Sequence, residues 1–111
     1  MINKKQKIFN VRKIPQGYAL TIKDVQLENR EAQQEYPNYQ RLLGVVSSAI
    51  GAYHRYNNEL YGVILELPER EKLIESAGKE NINILERIVD MHNEIVDLKQ
   101  TKENIVRRGE N

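Results

Sequence analysis

From Leu42 to Leu67 apolar side chains recur in alternating steps of four and three residues: Leu42, Val46, Ala49, Tyr53, Tyr56, Leu60, Val63 and Leu67. An unbroken stripe of this period is the seam of a packed helix. A second run, Ile84, Ile88, Met91, Ile95 and Leu98, keeps the same spacing and resumes at Ile105 after the misfit Lys102. Helices of some 28 residues would each be roughly 42 Å long, so the two could lie side by side, antiparallel. The pattern predicts a mainly α fold with a minor β part: an antiparallel hairpin of long helices plus a short helix, with an N-terminal β-hairpin.

The β-hairpin is predicted where the helical period fails. Phe9 and Val11 precede Pro15-Gln16-Gly17, and Tyr18, Leu20 and Ile22 follow it. Proline presets φ and glycine tolerates positive φ, which suits a tight reversal. Residues 24–36 hold few apolar side chains and read as a connector or weak helix. Pro37 closes it, and Pro37 or Asn38 starts the long helix. A competing parse of Ala52–Leu67 makes Asn57-Asn58 a turn between two strands; the continuous stripe favours helix. Pro68 ends that helix, a short helix follows to Ser76, and Gly78 supplies the stop before the last helix. That helix begins between Lys79 and Asn83 and closes on Arg107, Arg108 and Gly109.

With 111 residues, 30% of them charged and 40% apolar, the chain is expected to form one domain over residues 1–111. It divides into a basic hairpin arm (1–23), a connector (24–36) and a helical body (37–111). The arm carries Lys4, Lys5, Lys7, Arg12, Lys13 and Lys23 without an acid; the remainder holds 11 basic against 16 acidic residues. This asymmetry suits attraction within the fold or, alternatively, a nucleic-acid or acidic partner. There is no cysteine, no apolar run of signal-peptide length after Lys4-Lys5 and no stretch long enough to span a membrane, so a cytoplasmic protein is expected. The frequent Asn, Lys, Ile and Glu resemble the composition of AT-rich bacterial or phage genomes.

No phosphate loop, dinucleotide turn or nucleophile elbow is present. His54 and His92 lack a carboxylate three residues before them, so the Glu-x-x-His pair of helical di-metal sites is missing. No cofactor or metal is expected, and the chain reads as a non-enzymatic regulator or inhibitor that binds another macromolecule, probing it with tyrosines, of which Tyr39 and Tyr61 are the expected exposed contacts. The alternative is a nucleic-acid-binding accessory protein using Lys4, Lys5, Lys7, Arg12 and Lys13. Both helices are apolar over more than one stripe, which predicts a homo-oligomer, a dimer in the first instance. Its interface is expected at the small residues Gly44, Ser48, Gly51 and Ala52 and at Leu85, Val89, Val96 and Lys102, the lysine setting register in a coiled-coil seam.

Overall fold

The computed structural model of the chain describes residues 5–25, 31–56 and 61–109. The element order is β1 (Lys5–Ile14), β2 (Gly17–Asp24), β3 (Glu31–Tyr36), α1 (Tyr39–Tyr56), β4 (Tyr61–Glu66), α2 (Arg70–Ala77) and α3 (Lys79–Gly109). The strands form one mixed sheet in the order β3-β2-β1-β4, antiparallel except for the parallel pair β1 and β4.

The predicted hairpin is present as β1 and β2, with Phe9 opposite Ile22 and Val11 opposite Leu20. Gly17, at φ +152°, is obligatory there: a Cβ would lie 2.0 Å from the Tyr36 carbonyl oxygen of the neighbouring strand. The hairpin is not an appendage, however. It is the middle of the sheet, and its inner residues Phe9, Val11, Tyr18 and Leu20 are buried with Leu42, Val46 and Ile50 of α1, Leu73 of α2 and Ile82, Leu85 and Val89 of α3. All three helices therefore cover one face of the sheet.

The expectation of a mainly α fold built on a long-helix hairpin is overturned by this mixed α/β architecture. The stripe from Leu42 to Leu67 is not one helix: α1 ends at Tyr56 and β4 begins at Tyr61. Val63 lies on the four-three stripe but also alternates with Tyr61 and Leu65 at a period of two. In β4, Tyr61, Val63 and Leu65 stand opposite Lys5, Lys7 and Phe9 of β1, while Ile64 and Glu66 point to the other face and are exposed. The tract Val63-Ile64-Leu65 has the side chains that suit a pleated surface, and tertiary pairing with β1 selects the strand. Asn57 and Asn58 of the competing parse lie outside the described residues. The connector also contains a strand. β3 (Glu31–Tyr36) is a polar edge strand whose register is set by Tyr36 opposite Tyr18; an edge open to solvent needs no apolar alternation to announce itself.

Local signals at helix ends are obeyed more closely. The Arg41 amide donates to Asn38 Oδ1 at 2.9 Å, so Asn38 caps α1 after Pro37. Gly78, at φ +97°, separates α2 from α3, and its amide donates to the Ile74 carbonyl at 2.8 Å. α3 spans 31 residues, about 46 Å of helix, and the last of its described residues to be buried is Val96. The helix consequently runs past the body. The radius of gyration of 15.8 Å exceeds the roughly 13 Å of a compact chain of this length.

Candidate functional site

The polar chemistry of the molecule gathers where the end of α1 meets the middle of α3 and the outer edge of β4. His92 is buried among the apolar residues of the inner α3 stripe and is 2% exposed. Its Nε2 lies 3.0 Å from the Tyr61 carbonyl oxygen and its Nδ1 lies 2.9 Å from Nε2 of His54. A carbonyl can only accept, so His92 Nε2 carries the proton and donates it. In the neutral ring Nδ1 is then an acceptor, and His54 Nε2–H donates to it. The next residue, Asn93, continues along β4: the Val63 amide donates to Asn93 Oδ1 and Asn93 Nδ2 donates to the Val63 carbonyl, both at 2.8 Å. These are the two bonds that a neighbouring strand would have made. His92 and Asn93 thus occupy the open edge of the sheet with side chains from a helix.

Aromatic rings close the joint. Tyr53 stands edge-on to Phe9 at 6.4 Å and tilted over Tyr61 at 5.1 Å, and His54 meets His92 at 4.5 Å between ring centres. Lys7 Nζ lies 3.4 Å from Asp24 Oδ2 and 5.5 Å above the Tyr61 ring. Burial raises the Tyr53 hydroxyl above its usual pKa, with Tyr61 and Asp24 adding to the effect. Burial lowers that of His54, and the nearby Lys99 charge lowers it further. Among the described residues no buried side-chain nitrogen or oxygen is left without a partner, and no three His, Asp or Glu side chains converge as a metal site would require. The cluster is a satisfied joint between α1, α3 and β4.

The expected contact residues take different places. Tyr39 is 4% exposed; its hydroxyl donates to the Asn81 carbonyl, and its pKa is pushed up to about 12 by burial, with Tyr18 and Glu86 contributing. Tyr61 is half-buried in the joint. Neither forms an exposed tyrosine surface. Of the basic residues, Lys7 is held by Asp24, and Lys13 donates to the carbonyls of Ile14 and Gly17 across the hairpin turn. Lys4 lies outside the described residues, as does the side chain of Lys5. Arg12 faces the opposite, helix-free side of the sheet, where it lines an open cleft of about 590 Å³ with Ile8, Asn10, Thr21, Lys23 and Glu66. That cleft brings together two cations, Arg12 and Lys23, and one carboxylate, Glu66.

The proposed oligomer residues divide in the same way. Leu85, Val89 and Val96 are buried within their own chain, whereas Gly44, Ser48 and Lys102 are exposed and Gly51 and Ala52 half-buried. A Cβ on Gly44 or Gly51 would meet nothing within 4 Å, so among the described residues no other element closely approaches α1 at these two glycines. What the sequence had assigned to the core is instead on the surface: Ile84, Met91, Ile95 and Leu98 are 44%, 55%, 40% and 63% exposed along one line of α3. The choice between two apolar stripes on one helix was not signalled by periodicity. The signal available was the pair His92-Asn93, since two adjacent polar side chains at the edge of an apolar stripe are suited to docking against a strand edge.

No protein-family model matches the chain, and comparison with curated proteins and with solved structures found no match. Among the described residues no helix is long and apolar enough to cross a membrane.

Proposed function

We propose that this chain is a non-enzymatic protein-binding module, of regulator or inhibitor type, whose contact surface is the outer face of α3. The observation that carries the reading is the line of Ile84, Met91, Ile95 and Leu98, each at least 40% exposed, on a helix that extends beyond the body. Scattered apolar residues are normal on any surface; four large ones in register on one helix face are the pattern of helical recognition. The tyrosines expected to make the contact are instead occupied in the interior, and the basic residues expected to meet nucleic acid are partly tied into the hairpin.

The test is recovery of bound protein from the native host with tagged wild-type chain and with the double variant Met91→Glu, Leu98→Glu. Both positions are exposed, so the variant is expected to keep its helix content and melting temperature while losing what the wild type retains. Equal recovery by a folded variant would remove α3 from the binding surface.

A further inference from the structure

We propose that the outer face of α3 is occupied by α3 of a second copy of the chain, laid antiparallel with Ile84 against Ile95 and Ile88 against Met91. This inference rests on the reading of that face as a binding surface and names its occupant. Ile84, Ile88, Met91, Ile95 and Leu98 hold the four-three spacing of a two-helix seam, and Ile88 is the only one of them half-buried by its own chain. The helix also continues for about 20 Å beyond Val96, its last described buried residue. Of the described residues there, Asp97, Leu98, Lys99, Thr101 and Lys102 are all exposed.

Charges beside the seam choose the orientation. In the proposed register Arg87 lies beside Glu94 of the second copy and, by the two-fold symmetry, Glu94 lies beside Arg87 of that copy; both side chains are exposed in the single chain. The isologous contact is therefore complementary to itself. Sliding one step along the seam sets Glu94 against Glu94 of the second copy. The next step sets Lys102 against Met91 within the seam, and the one after opposes Lys99 to Lys99. A parallel, in-register pair would place Lys102 against Lys102 within the seam. Only the first arrangement avoids all of these contacts, and it leaves Lys102 beyond the paired turns. Lys102 then acts by excluding the parallel pair rather than by sitting in the interface.

The chain lacks cysteine, which makes cross-linking unambiguous. Ile84→Cys and Ile95→Cys chains, each oxidised alone, are expected to stay unlinked, while their mixture forms a covalent dimer, because only opposed layers bring the sulfurs into bonding range. Self-linking of each single variant would overturn the antiparallel register. Light scattering after size exclusion supplies the second arm: Arg87→Glu is expected to weaken the dimer about tenfold, and adding Glu94→Arg to restore it. No weakening by Arg87→Glu, or no rescue, would also overturn the register. A wild-type mass of one chain at every concentration would overturn the second copy as occupant. If Met91→Glu, Leu98→Glu still abolished recovery of a different protein, the binding reading of α3 would survive that failure; if it did not, both would fall.

Discussion

The two helices that meet at the His54–His92 joint turn very different outer faces to solvent. α1 presents Gly44, Ser47 and Ser48, with the half-buried Gly51 beside them, whereas α3 presents Ile84, Met91, Ile95 and Leu98. Their inner faces are alike: Leu42, Val46 and Ile50 on one, Ile82, Leu85 and Val89 on the other, all in the same core. Packing on the sheet thus explains one face of each helix and says nothing of the second. On α1 the second face is what a solvated helix requires, apart from two glycines. On α3 it has the side chains of an interior without an interior to receive them. Apolar periodicity reports that a helix face wants cover, and only the tertiary structure reports whether its own chain provides it.

The largest effect separates the two stripes of α3. Leu85 is fully buried and Leu98 is 63% exposed, so Leu85→Ala is expected to cost about 2–5 kcal/mol, through lost transfer energy and the cavity left behind. Leu98→Ala should remain within about 0.5 kcal/mol for the single chain. Urea unfolding of both variants at low protein concentration measures the difference directly. Equal costs would mean that the outer stripe is covered even in the dilute chain, and the contrast between the faces of α3 would disappear.

The limits of reading this fold from its sequence lie in particular residues. The hairpin was legible because Phe9, Val11, Tyr18, Leu20 and Ile22 alternate about Pro15-Gln16-Gly17, and the breaks at Asn38 and Gly78 because their chemistry is local. β4 was not, since Val63 lies on the helical stripe of α1 by coincidence, and the pairing that decides for a strand comes from β1, 56 residues earlier. β3 was illegible for the opposite reason: Glu31–Tyr36 has almost no apolar pattern, and its place depends on an existing edge at β2. The joint was half-legible. His92 lay on the stripe with Leu85, Val89 and Val96, but the partner of each ring nitrogen belongs to an element distant in sequence, His54 or Tyr61.

A smaller effect probes the outer face of α1. With nothing within 4 Å of a Cβ at position 51, Gly51→Ala adds no clash and removes the backbone-entropy penalty of a glycine inside a helix. A gain of about 1 kcal/mol is expected, read as a raised melting temperature. A loss would show that another molecule approaches α1 closely at this point, making its outer face, like that of α3, a surface that needs cover.

The smallest effect tests the joint between the two helices by pH. Burial, followed by the Lys99 charge, holds His54 below its ordinary pKa of 6.5 in the folded chain. The group's position in the last turn of α1, where the helix dipole favours a cation, works in the other direction. Because the unfolded chain then binds the proton more readily, stability falls as pH is lowered from above 6.5 and stops falling below the folded pKa. Protonation of His54 at Nδ1 leaves its Nε2–H donating to His92, so the change is a modest loss rather than a collapse of the joint. Lys99, Tyr53, Tyr61 and the Lys7–Asp24 pair stand around the joint. His54→Gln keeps an amide N–H for His92 and removes the titration. Its urea midpoint should vary less between pH 8 and 5 than that of the wild type. If both chains lose stability equally, the dependence belongs elsewhere; if the wild type gains stability on acidification, the dipole outweighs burial, and His54 and His92 share a proton that the folded chain prefers to keep.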